Sequence, residues 1–254
     1  ATGATYSATD IASTVNKIVV EDDLVDGTFT YAAGANTLVI GDAAGANDGG
    51  TDQVQGTIAI VVSGAATTDT FTIDMASSVV DMNSQAITTT GVEELTISNS
   101  KEAVDYDIGA ITMTASSGGS TTVKFVGDKN ANANAITAAT IDASGLTSTA
   151  TFIMDNAAVS VTTITGGANN DTLLGDDAST INGGAGNDAI TGGTGNDVLN
   201  GDAGNDTITT NTGNDTIDGG EGDDIIVMAA NLDYSDVKVD GGAGTDVLSI
   251  TAAH

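Results

Sequence analysis

GGAGNDAIT (183–191), GGTGNDVLN (192–200), GDAGNDTIT (201–209) and TNTGNDTID (210–218) are four consecutive nine-residue units in one register, and their reading decides the fold. The period continues outward. Upstream lie GGANNDTLL (166–174) and the eight-residue GDDASTIN (175–182); downstream comes GGEGDDIIV (219–227) and, after MAANLDYSDVKVD (228–240), GGAGTDVLS (241–249). Asp stands sixth at Asp171, Asp188, Asp197, Asp206, Asp215, Asp224 and Asp246. An aliphatic stands eighth at Leu173, Ile190, Leu199, Ile208, Ile217, Ile226 and Leu248, and the short unit still carries Ile181.

The chemistry of the unit follows from its residue types. Glycines at the first, second and fourth places are expected to take positive φ and turn loop carbonyls towards a common point. The Asp adds a hard anionic oxygen, and oxygen-only donor sets of flexible geometry suit Ca²⁺ better than Zn²⁺ or Cu²⁺. The last three residues are expected to form a short strand whose central aliphatic points inward. A single GGxGND is more simply a solvated turn. Seven sixth-place Asp residues in register outweigh that reading.

Over residues 166–249 the units resemble the RTX (repeats-in-toxin) nonapeptide GGxGxDxUx, a calcium-binding repeat of the parallel β-roll. The resemblance implies that two units make one coil and that each ion sits between successive loops on the same edge, held by both Asp side chains and by loop carbonyls. Asp171, Asp188, Asp206 and Asp224 then line one edge and Asp197 and Asp215 the other. A four-residue insertion delays the last unit and returns Asp246 to the first edge. Five ions are implied, between residues 171 and 188, 188 and 206, 206 and 224, 224 and 246, and 197 and 215. The implied carbonyl donors are Gly166, Gly183, Gly184, Ala185, Gly186, Gly192, Gly193, Thr194, Gly195, Gly201, Ala203, Gly204, Gly213, Gly219, Gly220, Glu221, Gly222, Gly241, Gly242 and Gly244. The unit 175–182 departs from the pattern with Asp177 and Ser179, so an ion opposite Asp197 on that side is not expected.

Composition agrees with an acidic, metal-dependent chain. Of 254 residues, 35 are acidic and 5 are lysine, with no arginine, for a formal net charge of −30. Such a field repels phosphate, so nucleic acid and anionic membranes are poor partners. With no cysteine there is neither a disulfide scaffold nor a thiolate metal site. No apolar run approaches the length of a membrane span. His254 is the only histidine and no GxSxG occurs, which excludes HExxH and Ser-His-Asp chemistry. The carboxylate pairs Asp22/Asp23, Glu93/Glu94 and Asp105/Asp107 could serve a glycosidase. No tryptophan accompanies them to form a sugar platform, so an enzyme is not expected.

The chain divides at residue 165 into a Thr/Val/Ala-rich β domain (1–165) and the repeat block (166–254). In the first part TFTID (70–74), ELTIS (94–98), AITMT (110–114), TVKFV (122–126), TFIMD (151–155) and VTTIT (161–165) read as strands. Their irregular spacing fits either a sandwich or an irregular parallel β-helix. TGVEELTIS (90–98) and TIDASGLTSTATFIMD (140–155) resemble segments that precede RTX blocks in bacterial S-layer and related surface proteins. That resemblance implies a right-handed parallel β-helix or irregular β-solenoid, from about residue 90, leading into the roll. Residues 1–60 carry no assignable motif. They hold two acidic clusters, Glu21, Asp22, Asp23 and Asp26, then Asp42, Asp48 and Asp52; the second has the Gly/Asn/Asp composition of a calcium loop, but without a repeat it reads more readily as a solvated turn.

The expected function is that of a calcium-dependent structural protein of the bacterial cell surface, extracellular through type I secretion, forming a homo-oligomeric S-layer-like lattice or filament. The alternative is an RTX adhesin module that spaces or presents another domain. Ice binding, suggested by Thr194 over Thr212 and Asn196 over Asn214, is a more remote third reading.

Overall fold

The computed structural model describes residues 17–20, 24–32, 35–40, 54–63, 69–75, 85–99, 106–115, 119–147, 149–154, 161–228 and 238–250. Among these there is no helix; the chain alternates between two parallel sheets of 11 and 12 strands. The first sheet contains, in order, Lys17–Val20, Ala35–Ile40, Thr70–Met75, Glu94–Asn99, Thr122–Gly127, Thr140–Leu146, Thr163–Thr165, Thr180–Ala185, Val198–Ala203, Thr216–Asp218 and Lys238–Asp240. The second contains Leu24–Ala32, Val54–Ser63, Gln85–Thr90, Tyr106–Thr114, Ala131–Ala133, Phe152–Met154, Thr172–Leu174, Ala189–Thr194, Thr207–Thr212, Ile225–Met228 and Val247–Ile250, with Ile136–Thr137 paired beside Tyr106–Thr114. Strand pairing between elements two or three apart, always parallel among the described residues, makes the molecule a β-solenoid rather than a sandwich.

Register explains why one half is periodic and the other is not. In the repeats Thr180 pairs with Val198 and Val198 with Thr216, steps of 18 residues. The step lengthens to 22 at Thr216↔Lys238 and Ile225↔Val247, where the four extra residues are accommodated. Upstream the steps vary: Thr70↔Glu94 spans 24 residues, Glu94↔Thr122 spans 28 and Ile58↔Ile87 spans 29. The pairings Thr163↔Thr180 and Ile153↔Thr172 carry both sheets across residue 165 without a break. All six strands read in the N-terminal sequence are present, with shifted ends at Phe152–Met154 and Thr163–Thr165. The solenoid also extends further back than residue 90, to Lys17.

The core is a stack of inward-facing side chains between the sheets, as the two-residue alternation of strands requires. Leu173, Ile181, Ile190, Leu199, Ile208, Ile217 and Ile226 are each at most 1 % exposed. Upstream the same stack holds Phe71, Phe125 and Phe152; the rings of Phe125 and Phe152 lie 4.7 Å apart, tilted by 37°. Parallel strands about 4.8 Å apart thus bring every loop of the repeat block directly over the loop two units away.

Candidate metal centre

Stacked loops place the sixth-place Asp residues in two columns. On the first edge the N–H of Asp171 donates to Asp188 Oδ1 (2.7 Å), that of Asp188 to Asp206 (2.7 Å), that of Asp206 to Asp224 (2.8 Å) and that of Asp224 to Asp246 (3.1 Å). The column begins at Phe152, whose N–H reaches Asp171 Oδ1 at 2.6 Å. On the second edge Ser179 donates to Asp197 (2.7 Å) and Asp197 to Asp215 (3.0 Å). Each carboxylate therefore uses one oxygen to cap the coil before its own. Ser179 occupies a sixth place without a carboxylate, and its hydroxyl donates to the carbonyls of Val161 and Asp177.

The second oxygen is the informative one. Oδ2 of Asp188, Asp197, Asp206, Asp215 and Asp224 is buried and has no hydrogen-bond partner. A buried anionic oxygen without a donor is costly. The cost shows in the titration behaviour: burial, opposed by the backbone N–H and reinforced by neighbouring carboxylates, pushes Asp188 up to about 7 and Asp197 and Asp206 up to about 6. Asp171 and Asp215 are raised by burial as well. A divalent cation against these oxygens would remove the cost, so the donor set fits a hard ion. Among the described residues no three acidic, His or Cys side chains converge on one point, so carboxylates alone cannot complete the oxygen shell and neutral oxygens must supply the rest.

Loop backbone geometry suits that task. From Gly184 onward the glycines at the second and fourth places have positive φ, as at Gly184 (105°), Gly186 (120°), Gly193 (119°) and Gly195 (103°); Asp202 (70°) and Asn211 (63°) take the second place in their units. The first-place glycines do not share this conformation, contrary to the expectation from sequence. Their requirement is space: a Cβ on Gly183 would lie 2.5 Å from Asp188 Oδ2 and 2.6 Å from the Gly201 carbonyl oxygen. In the middle units strand pairing also continues through the second and third places (Gly184↔Asp202, Ala185↔Ala203), so four strands from Thr180–Ala185 to Thr207–Thr212 are six residues long, whereas Thr172–Leu174 and Thr216–Asp218 keep the expected three. Of the implied carbonyl donors, those of Ala203, Gly220 and Glu221 accept the N–H of Gly186, Ala243 and Gly204, leaving one lone pair each for another partner.

A second, outer column escaped the sequence reading. The side-chain oxygens of Asn170, Asn187, Asn205 and Asp223 accept the fifth-place N–H of the following coil, each at 2.8 Å, and Asn196 does the same for Asn214 at 2.9 Å. Inner carboxylates thus cap backwards and outer side chains forwards. The Asn before Asp in unit after unit was the visible signal.

Other acidic candidates do not converge. Glu93 is buried and accepts the Asp69 N–H at 2.9 Å, whereas Glu94 faces outward to Lys124 Nζ at 2.7 Å. One carboxylate is thus buried against Asp69 and the other exposed beside Lys124, so they do not flank a shared substrate. Glu21, Asp22, Asp23, Asp42, Asp48, Asp52, Asp105 and His254 lie outside the described residues, and Asp26 and Asp107 fall in strands.

The family model of the RTX calcium-binding nonapeptide repeat (four copies) matches residues 163–179, 175–208 and 200–227. No curated protein and no solved structure gives a match to the chain. Residues 163–227 are therefore RTX calcium-binding nonapeptide repeats, set in a parallel β-solenoid.

Proposed function

We propose that the chain is a calcium-dependent structural protein of the bacterial cell surface, folded by about five ions outside the cell and assembling there into a lattice or filament. The five intervals bounded by stacked Asp pairs would each hold one ion, with the loop carbonyls completing the oxygen shell. The row of partnerless buried Oδ2 atoms is the observation that carries the calcium reading. Metal bound there supplies folding free energy, because the paired carboxylates repel one another without it. RTX repeats are typical of secreted proteins, and millimolar calcium outside the cell matches sites in the range of about 10⁻⁴–10⁻³ M.

The assembly step rests on charge. Ten positive charges on five ions leave about 20 of the formal 30 negative charges. Exposed Asp202, Asp218, Glu221, Asp223 and Asp240 lie outside the two columns of sixth-place Asp. Copies of so acidic a solenoid can touch only if further calcium screens or bridges them. No catalytic role enters this reading.

Light scattering on the folded protein, raised from about 1 to about 10 mM calcium, tests the proposal, with electron microscopy of the product. Scattering should rise steeply and sheets or filaments should appear. A folded monomer throughout would replace the lattice subunit by a spacer that presents another domain.

A further inference from the structure

The first place of each repeat loop from Gly166 to Gly219 is buried, and in all but one of these units it is glycine; the exception is Thr210. Thr209 pairs with Thr191 and Asn211 with Gly193, so Thr210 stacks over Gly192 in unbroken register. A Cβ on Gly192 would lie 2.6 Å from Asp197 Oδ2 and 3.0 Å from the Thr210 carbonyl oxygen. A first-place Cβ therefore points at the carboxylate of its own loop. By register Thr210 carries a real one at the same place in the loop of Asp215.

Its hydroxyl is not accounted for by the fold. Thr210 is 0 % exposed and its Oγ1 has no hydrogen-bond partner. The interval between the loops of Asp197 and Asp215 thus contains three buried oxygens without a donor: Asp197 Oδ2, Asp215 Oδ2 and Thr210 Oγ1. The intervals 188/206 and 206/224 contain two each. A packing residue at this place would be better served by Val, which has the same shape and no polar atom to desolvate.

Resting on the calcium reading above, we infer that Thr210 is a side-chain ligand, its Oγ1 completing a divalent-cation site between Asp197 and Asp215 that differs in donor set from the Gly-first sites of the opposite edge. A neutral hydroxyl can give a lone pair to the ion without adding charge to an already acidic interval. Because the second edge has only this one stacked Asp pair among the described residues, the hydroxyl decides whether that edge is held at all.

The test is a calcium titration of the full chain followed by amide NMR, in which Asn196, Thr212 and Asn214 report the second edge and Asn187 and Asn205 the first. Thr210→Val and Thr210→Ala should raise the calcium midpoint of the second-edge signals about tenfold or more, the usual scale for losing a metal-site partner, and leave the first edge within about twofold. Thr210→Ser should keep the wild-type value. Should the Val substitution prevent folding, the Ala and Ser variants still separate hydroxyl from shape. Unchanged second-edge midpoints in the Val or Ala variant, or a second edge that ignores calcium while the first responds, would overturn the inference. If neither edge of the wild-type chain responds, the calcium reading itself fails.

Discussion

Two regions of one solenoid close the same gap between sheets by different means. Upstream, a strand buries two large side chains: Phe71 and Ile73, Leu95 and Ile97, Val123 and Phe125. In the repeat strands Thr180–Ala185, Ala189–Thr194 and Val198–Ala203 one aliphatic is buried, and the next inward position is the first-place glycine. The space that a second apolar side chain fills upstream is taken there by an Asp carboxylate, as the Cβ positions at Gly183 and Gly192 show. Each large aliphatic buried contributes about 1.5–3 kcal/mol, so every repeat strand forgoes roughly that much and puts a buried charge in its place. The upstream coils are held by hydrocarbon. The repeats, on the calcium reading, are held by ions.

The largest effect that could break this contrast is removal of calcium. Hydrogen exchange in excess chelator should show the amides of 166–228 exchanging freely while strands from Gln85–Thr90 to Phe152–Met154 stay protected, because only the former depend on metal to offset carboxylate repulsion. Equal protection of both regions in chelator would mean that the hydrogen-bonded columns suffice without metal. Uniform loss would mean that the upstream coils cannot stand without the repeats below them.

Acid should partly stand in for calcium. Asp188 at about 7 and Asp197 and Asp206 at about 6 bind protons in the folded, metal-free repeats at pH values where an ordinary Asp near 3.8 has released them. A carboxyl raised on folding contributes stability that is complete below its unfolded value and is lost as pH rises through the folded one. The loss falls between pH 3.8 and about 7. Metal-free protein moved from about pH 7.5 to about pH 4.5 should regain β-sheet circular dichroism. With calcium present the sign reverses, since protons compete for the same oxygens. An identical spectrum of the metal-free protein at both pH values would show that the carboxylates do not limit folding.

Legibility in the sequence tracks the same division. The repeats could be read because their period equals the sheet register: 18 residues separate Thr180 from Val198, and the chain spells that distance with glycine and Asp. The two columns and the return of Asp246 to the first after four extra residues follow from counting alone. Upstream the coil length varies with its loops, so Val54–Ser63 and Gln85–Thr90, both well formed, carry no repeated spacing that announces them. The first-place glycines were misjudged because sequence shows that a side chain is missing without saying whether backbone angle or space forbids it. Thr210 is the converse case: a break in pattern whose meaning lies in the burial of one oxygen.

The smallest effect concerns position within a column. Asp206 stands between Asp188 and Asp224, caps the Asp188 N–H, and on the proposed scheme contacts two ions. Asp171 ends its row: its Oδ2 already accepts the Gly167 N–H and its Oδ1 the Phe152 N–H, so it has less oxygen to offer a metal. Asp206→Ala removes one cap, about 1–3 kcal/mol when the exposed donor stays buried, together with a ligand to two ions. Asp171→Ala removes two caps and a ligand to one. The calcium midpoint followed by circular dichroism, with bound ions counted by titration calorimetry, should therefore shift further for Asp206→Ala, with about two ions lost against one. Metal-free stability at acid pH should order the other way, because protons have replaced the ions and only the caps remain. Equal loss of bound ions from the two variants would show that the columns do not share ions between neighbours, and the repeats would then be independent loops rather than a continuous row.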